Sequence, residues 1–208
     1  MCDRLVVATD ARDIAAVVER AGFEAVLTSA DHQSGTERVA EVVARKSFNS
    51  FDLVLNVQGD EPLVAHAALK GAVARVRSGD PIGTAAGDLD RALAGDPNRV
   101  KVVTDSRGRA VYFSRAPIPF DRDGALEAIY HQHVGVYAYT REALDRWVRL
   151  APVPEERWER LEQLRPLLHG IPIGVALFGG PAAPGVDTVE DLRYAETQLT
   201  RQLKEVSP

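Results

Sequence analysis

The sequence has very little cysteine: Cys2 is the only one among its 208 residues. A lone cysteine excludes an internal disulfide framework and fits a reducing compartment. Basic residues are not in excess either, since 25 lysines and arginines stand against 30 aspartates and glutamates, for a net charge of −5. This balance argues against a general nucleic-acid surface, and an anionic ligand would need local arginines or metal ions.

Long apolar runs are also missing. No stretch approaches the roughly 20 residues of a membrane span, and the first residues lack the apolar region of a signal peptide. We therefore expect a cytoplasmic protein without a membrane partner. With 45% hydrophobic and 26% charged residues in 208, a single domain over residues 1–208 is the expected organisation.

What the sequence does contain is an alternation of short apolar segments and amphipathic ones. Strands are predicted at residues 5–8, 23–27, 53–57, 131–139 and 172–178, and helices at 13–21, 34–44, 66–77, 141–150, 154–169 and 188–204. Two further apolar runs flank Asp105–Gly108, which indicates a hairpin. The pattern predicts an α/β fold with helices on both faces of a mainly parallel sheet, and an antiparallel excursion at about residues 100–140. This excursion is a candidate substrate lid or dimer contact.

The segment Asn56–Pro62 carries the strongest functional signal. It follows the apolar run Leu53–Val57 directly and contains Asp60. Ligands of open α/β sheets bind at the carboxyl ends of strands, and Mg²⁺ prefers carboxylate oxygens beside phosphates. Asp60 is therefore a candidate metal ligand, while an ordinary solvated turn is the alternative.

Two more segments pair a functional interpretation with a structural one. Ser34 and Glu37 form a capping box, so the helix that begins there offers backbone N–H groups to an acceptor, and Arg38 adds a fork of donors. The alternative is a well-capped helix after an exposed loop. Asp187 precedes the last predicted helix; it is either a second Mg²⁺ carboxylate or the N-cap of that helix.

Other polar residues have the same two interpretations. Arg115 follows a predicted strand and is suited to pair with a substrate carboxylate, or is a surface arginine. His133 and Tyr137 share one face of the strand at 131–139, as pocket or core residues. Glu162 and Gln163 lie on the predicted helix 154–169, whose charged face needs no function.

Taken together, these segments resemble the 3-deoxy-manno-octulosonate (Kdo) cytidylyltransferases, or CMP-Kdo synthetases. The matching stretches are residues 7–10, 28–38, 56–62, 96–103, 112–119, 133–137, 161–165 and 185–188, in family order over almost the whole chain. Residues 28–38 and 56–62 are the most specific. No segment matches the family's first strand and its phosphate-binding loop, so residues 1–208 are expected to be N-terminally incomplete relative to the family.

The resemblance implies a three-layer nucleotidyltransferase-like sandwich, usually a homodimer, that uses Mg²⁺. It implies attack of the Kdo anomeric hydroxyl on the α-phosphate of CTP, with release of pyrophosphate, for lipopolysaccharide biosynthesis. By matched position, Asp60 and Asp187 are the implied catalytic Mg²⁺ carboxylates. The implied substrate-binding positions are Ser34, Gly35, Arg38, Gln58, Arg115, His133, Tyr137, Glu162 and Gln163.

Two alternatives stay open at this point. In the first, the substrate is a related sugar acid, a sialic acid or an 8-amino-Kdo. In the second, the chain is an inactive remnant that acts as a binding or interaction subunit. This alternative stays open because the resemblance does not extend to the family's phosphate-binding loop. The residues themselves indicate no general base.

Overall fold

The computed structural model describes residues 2–122 and 130–206. In chain order its elements are β1 (Val6–Thr9), α1 (Arg12–Arg20), β2 (Glu24–Leu27), α2 (Gly35–Ala44), β3 (Leu53–Val57), α3 (His66–Arg77), β4 (Ile82–Leu89), β5 (Lys101–Thr104), β6 (Ala110–Ser114), β7 (Tyr130–Thr140), α4 (Arg141–Val148), α5 (Pro154–Glu159), α6 (Leu164–Leu168), β8 (Ile173–Pro181) and α7 (Val189–Val206). Within these residues, no helix combines the length and the apolar character needed to cross a bilayer.

The strands form two sheets. β1 and β2 pair in parallel as a two-stranded sheet, and the other six form a larger sheet of order β6-β5-β7-β4-β8, with β3 also paired to β7. β3, β4, β5 and β8 run in one direction, whereas β6 and β7 run opposite to them. The predicted α/β class is therefore confirmed, and the antiparallel strands lie in the predicted excursion.

β7, which lies in the predicted excursion, occupies the middle of the larger sheet. One edge of β7 pairs with β4 along its length. The other edge pairs with β3 at Val136–Thr140 and with β5 only at Gln132. The edge partner of β7 thus changes from β3 to β5 near residues 133–135, and β3 ends at this gap.

The two faces of the sheet pack into separate hydrophobic clusters. Tyr137 and Tyr139 join Trp147 of α4 and Leu164 of α6 on one face. The opposite face carries Val134, Val136 and Ala138, which pack with α3 residues. This division confirms the alternation predicted from the sequence of β7 and places helices on both faces.

An aromatic group anchors α4 to β7. The Trp147 ring meets those of Tyr137 and Tyr139 edge-on, at centroid distances of 5.8 and 5.6 Å. Trp147 is 1% exposed. Because aromatic pairs favour such edge-to-face contacts, this group stabilises the strand that carries two of the predicted site residues.

Strand β4 was not predicted from the sequence. Ile82–Leu89 is rich in glycine and alanine and lacks the β-branched alternation typical of strands, yet almost all of it is buried. A Cβ atom at Gly83 would stand 2.1 Å from the carbonyl oxygen of Ala72 in α3. The small residues of β4 therefore allow the α3 backbone to pack directly on the sheet.

The single helix predicted at residues 154–169 is wrong. The chain forms α5 and α6 instead, with Arg160 between them in the left-handed conformation (φ 51°). Pro166 cannot donate to the carbonyl four residues earlier, so a continuous helix through residue 162 is disfavoured. Glu162 and Gln163 consequently lie in a turn before α6 and not on a helix face.

Candidate active site

The two predicted metal carboxylates are brought to the same place. Asp60 follows β3 in the loop to α3, and Asp187 lies between β8 and α7. The backbone N–H of Val186 donates to the carbonyl oxygen of Asp60 at 2.8 Å, which fastens the two loops together. Partial burial raises the pKa of Asp60, and the negative charge of Asp187 raises it further. The two carboxyl groups are therefore close enough to repel each other.

Asp187 is not the N-cap of α7. Thr188 has that role, because its hydroxyl accepts from the N–H of Asp191 at 3.1 Å. The Asp191 carboxylate in turn accepts from the N–H of Thr188 at 2.9 Å and from its hydroxyl at 2.7 Å. This reciprocal cap leaves the Asp187 side chain exposed next to Asp60 and available for another function.

Glu61 is a site residue that the sequence-based list of candidates missed. Its Oε1 atom accepts from the N–H of Gly135 in β7 at 2.7 Å. Burial raises the pKa of Glu61 to about 7, and the charges of Asp60 and Asp187 add to this rise. The sequence did contain a signal for Glu61, because it forms an acidic pair with Asp60 directly after a strand.

Gln58 and Glu162 form a polar wall beside the Asp60 loop. The Gln58 amide donates to Glu162 Oε1 at 3.1 Å. Burial raises the pKa of Glu162, and the hydroxyls of Ser34 and Thr36 lower it by less. The other oxygen, Oε2, is buried without a well-aligned partner among the described residues. Glu162 thus has an acceptor, or a donor when protonated, to offer a ligand.

Ser34 is the N-cap of α2 as predicted, but Glu37 reaches back to the residue before the N-cap and not to the N-cap itself. Ser34 Oγ accepts from the N–H of Glu37 at 3.3 Å, and Glu37 reaches back to the N–H of Gln33 at 2.8 Å. Gly35 is exposed, and a Cβ there would meet nothing within 4 Å. The first turn of α2 therefore borders open space near Glu162 and remains a suitable place for an acceptor group.

Arg38 lies further from this pocket, against the ends of β1 and β2. Its Nη1 atom donates to Thr28 Oγ1 at 2.6 Å and to the carbonyl of Ser29 at 3.3 Å, while Nη2 lies 3.4 Å from a carboxylate oxygen of Asp10. These contacts show an arginine that orders the loop before α2. Its predicted contact with substrate remains a prediction.

His133 and Tyr137 are buried on the inner face of β7. The His133 ring lies 5.3 Å from that of Tyr137 and packs edge-on against Phe113 at 5.0 Å. Its Nε2 atom is 3.0 Å from the hydroxyl of Thr84. Burial lowers the pKa of His133 to about 3 and raises that of Tyr137 well above its usual value. Both side chains are therefore neutral near pH 7.

The turn that carries Glu162 is held by Arg165. This side chain makes two hydrogen bonds to the Glu156 carboxylate, at 2.9 and 2.6 Å, and lies 3.6 Å from Glu37 of α2. Gln163 is buried, with 3% of its surface exposed. The turn is thus tied to both α5 and α2, and its two polar residues have little freedom to move.

Arg115 and Lys101 connect three loops through hydrogen bonds to backbone carbonyl groups. The Arg115 guanidinium donates to the carbonyls of Pro97 at 2.7 Å and Glu159 at 2.6 Å. Lys101, which is fully buried, donates to the carbonyls of Asp96, at 3.0 Å, and Arg115. Burial lowers the pKa of Lys101. Arg115 therefore has a structural role, and its role toward a substrate carboxylate remains a prediction.

One of these loops lines a cleft beside Asp187. The cleft encloses about 210 Å³, and its lining residues are Asp96, Asn98, Arg99, Gln132, Pro184, Gly185, Asp187, Thr188 and Asp191. Arg99 is bonded to Gln132 at 2.8 Å. Of these residues only Asp187 was predicted as a site residue, although residues 96–99 and 185–188 lie in stretches that match the family.

The residues present fit a Mg²⁺ ion that is held together with a nucleotide. Among the described residues no group of three or more His, Cys, Asp or Glu side chains forms a metal cage. Asp60 and Asp187 instead supply two carboxylates, and Mg²⁺ is commonly bound by one or two carboxylates with phosphate oxygens and water completing its shell. Their mutual repulsion favours a cation between them.

His133 makes acid stability testable. The unfolded chain protonates this side chain near pH 6.5 whereas the folded protein does so only near pH 3, so stability is present above 6.5 and is lost as the pH falls toward 3. Between pH 6.5 and 3, protonation of His133 is expected to lower the free energy of unfolding by about 1.4 kcal/mol for each unit by which the pH falls. Urea unfolding of wild type and His133→Gln at pH 7, 6 and 5 checks this. Parallel losses in both proteins would contradict it.

The fold and the site together define a nucleotidyltransferase-like α/β protein. Its sequence matches the family model described as cytidylyltransferase over residues 1–173. A 3-deoxy-manno-octulosonate cytidylyltransferase from Gemmatimonas aurantiaca is 52% identical over 202 residues, which cover 95% of this chain and 78% of that protein. The enzyme of the same name from Methylococcus capsulatus is 45% identical over 207 residues, covering 94% and 80%. The chain belongs to the cytidylyltransferase family.

Solved structures agree with this assignment. CMP:2-keto-3-deoxy-manno-octonic acid synthetase complexed with CTP has a TM-score of 0.86 and 35% identity, covering 96% of this chain and 81% of that one. The inositol-1-phosphate CTP transferase from T. maritima has a TM-score of 0.62 at 17% identity, covering 99% and 78%. The second likeness concerns the fold alone.

Proposed function

We propose that this protein transfers the cytidylyl group of CTP to 3-deoxy-D-manno-octulosonate, giving CMP-Kdo and pyrophosphate for lipopolysaccharide biosynthesis. The observation that carries the proposal is that Asp60 and Asp187 lie close together, in loops joined by the hydrogen bond from Val186, and that Gln58, two residues before Asp60, is hydrogen-bonded to Glu162. Both family relatives described above bear the name of this activity.

The proposed chemistry is a substitution at phosphorus. The anomeric hydroxyl of the sugar acid releases its proton to solvent as its oxygen bonds to the α-phosphate of CTP, and the bond from that phosphorus to the pyrophosphate oxygen breaks. Such transfers depend mainly on positioning and on neutralising charge. A Mg²⁺ ion held by Asp60 and Asp187 would supply that neutralisation. Ser34 and Gly35 at the start of α2 are proposed to offer donors to the nucleotide or sugar, and Arg38 to order their loop.

The sugar acid is proposed to lie against the polar wall. Kdo has one carboxylate and many hydroxyl groups, which suit amide, carboxyl and guanidinium partners. Gln58 and Glu162 are hydrogen-bonded to each other next to the Asp60 loop, and Ser34 and Thr36 lie close to the Glu162 carboxyl group. We propose that buried His133, Tyr137 and Gln163 shape the pocket behind them. A homodimer in the cytoplasm is our proposal for the working form, supported by the family resemblance and the low cysteine content.

Pyrophosphate release tests this function directly. The chain would be incubated with CTP and Mg²⁺ and with Kdo, a sialic acid or 8-amino-Kdo in separate reactions. We expect release with Kdo, none without a sugar acid, and none when EDTA removes the metal. Preference for another acid would reassign the substrate. No release with any of them would favour the interaction-subunit alternative.

Arg115 gives a sharper test of the sugar-acid pocket. Arg115→Ala removes a guanidinium fork suited to carboxylates, so the KM for the sugar acid is expected to rise about tenfold and that for CTP much less. Arg115→Lys keeps the charge without the fork and is expected to rescue only part of the loss. Steady-state kinetics with each substrate varied in turn checks this. An effect confined to CTP would assign Arg115 to the nucleotide.

A further inference from the structure

The loop that carries Asp60 is fastened to an irregularity in β7. Thr84 of β4 pairs with Tyr137, and the next residue, Ala85, pairs with Val134. Two residues of β7, Gly135 and Val136, therefore have no Cα partner on β4. On the other edge of β7, the pairing with β3 ends at Val57, opposite Val136, and the pairing with β5 is at Gln132. Gly135 lies between these two partners. The backbone of Gly135 is thus left for a loop to use.

Both polar groups of Gly135 are taken up by the Asp60 loop. The N–H of Gln58 donates to the Gly135 carbonyl at 3.1 Å. The Gly135 N–H donates to Glu61 Oε1 at 2.7 Å, at the short end of the usual range for N–H···O hydrogen bonds. Residues on each side of Asp60 are therefore bonded to one residue of the central strand.

The shape of Gly135 matches this arrangement. A Cβ atom there would stand 3.0 Å from Glu61 Oε1, 3.1 Å from Glu61 Cγ and 3.3 Å from Gln58 Oε1. These distances are tighter than ordinary van der Waals contact. A Cβ atom there would require the Glu61 side chain to shift by a few tenths of an ångström, so the absence of a side chain leaves room for its carboxyl group beside the backbone.

A second attachment holds the other side of Asp60. Its own carbonyl accepts from Val186 at 2.8 Å, which brings the Asp187 loop alongside. Asp60 therefore stands between an attachment to β7 through Glu61 and an attachment to the Asp187 loop through Val186. If either attachment is lost, the spacing of the two carboxylates is no longer set.

We propose that Glu61 is a positioning residue, which holds Asp60 in register with Asp187 by accepting the Gly135 N–H. The inference rests on the proposed function only in assigning Mg²⁺ to the two aspartates. It separates two roles that a glutamate next to a metal ligand can have. As a positioning residue, Glu61 needs an acceptor oxygen; as a direct metal ligand, it needs its charge.

Glutamine distinguishes these roles because it keeps the acceptor oxygen and removes the charge. We expect Glu61→Ala to raise the Mn²⁺ concentration for half-saturation of the CTP-bound protein about tenfold, measured by the electron paramagnetic resonance of unbound Mn²⁺. Glu61→Gln is expected to stay within about threefold of wild type. An equal loss in both variants would show that the charge matters and would overturn the proposal.

Gly135→Ala tests the same contact from the other side. The added methyl group is expected to displace Glu61 and to weaken Mn²⁺ binding in the same direction, while the KM for the sugar acid changes little. Gly95→Ala is the matched control, because a Cβ there meets nothing within 4 Å. Unchanged Mn²⁺ binding in Gly135→Ala would count against the role of Glu61.

Amide exchange provides a readout that needs neither metal nor turnover. In metal-free protein, Glu61→Ala is expected to speed hydrogen exchange of the Gly135 and Val186 amides at least about tenfold, and Glu61→Gln much less. Unchanged exchange at both amides in Glu61→Ala would overturn the proposal. Absence of Kdo turnover in the wild type would instead refute the proposed function and leave this result standing.

Discussion

Asp60→Asn is expected to lower the rate of cytidylyl transfer by about a hundredfold or more while leaving the fold intact. The asparagine keeps the size of the side chain but not the charge that a Mg²⁺ ion beside a triphosphate requires. Asp60 is exposed in a loop and contributes nothing to either large hydrophobic cluster, so stability is expected to change little. Single-turnover pyrophosphate release over a range of Mg²⁺ concentrations measures the loss.

Two companion variants give this experiment its controls. Asp187→Asn is expected to reproduce the defect, because the second carboxylate belongs to the same site. Asp145→Asn removes an exposed carboxylate on α4 that pairs only with Arg149 at 2.7 Å, and full activity is expected. Unchanged turnover of Asp60→Asn at limiting Mg²⁺ would refute the metal role of this residue.

Trp147→Ala is expected to lower the free energy of unfolding by about 4 kcal/mol. The indole is buried against two tyrosine rings of β7, and its removal leaves a cavity that the rigid central strand cannot close. Trp147→Phe keeps part of the ring contact and is expected to lose about 1–2 kcal/mol. Urea unfolding followed by circular dichroism measures both values.

The same variant links packing to the site. Tyr137 shares its ring contacts between Trp147 and His133, so loss of the indole is expected to loosen the back of the pocket as well. A loss of stability below about 1 kcal/mol in Trp147→Ala would show that α4 is anchored by other contacts.

Local patterns were sufficient where one element determines its own structure. The helix His66–Arg77, the hairpin around Asp105–Gly108 and the cap at Ser34 follow from periodicity, turn residues and capping chemistry. Strand β4 could not be predicted, because its residues are chosen for contact with α3 and not for strand propensity. Pro166 did contain a signal for the broken helix.

The site divides in the same way. Asp60 could be predicted because a strand end, a glycine and an acid lie together in the sequence. The partner of Glu61 could not, since Gly135 lies 74 residues away and its availability depends on a register shift between β4 and β7. The carbonyl partners of Arg115 were also hidden, because backbone acceptors leave no trace in residue type.

Lys101 and Arg115 also have a mechanical consequence. Each binds carbonyl oxygens that belong to different loops, so the segments around residues 96–97, 115 and 159 are coupled to one another. A substrate that shifts one of them would carry the others along. The three segments are therefore expected to move as one unit, with the buried lysine bonded to two of them.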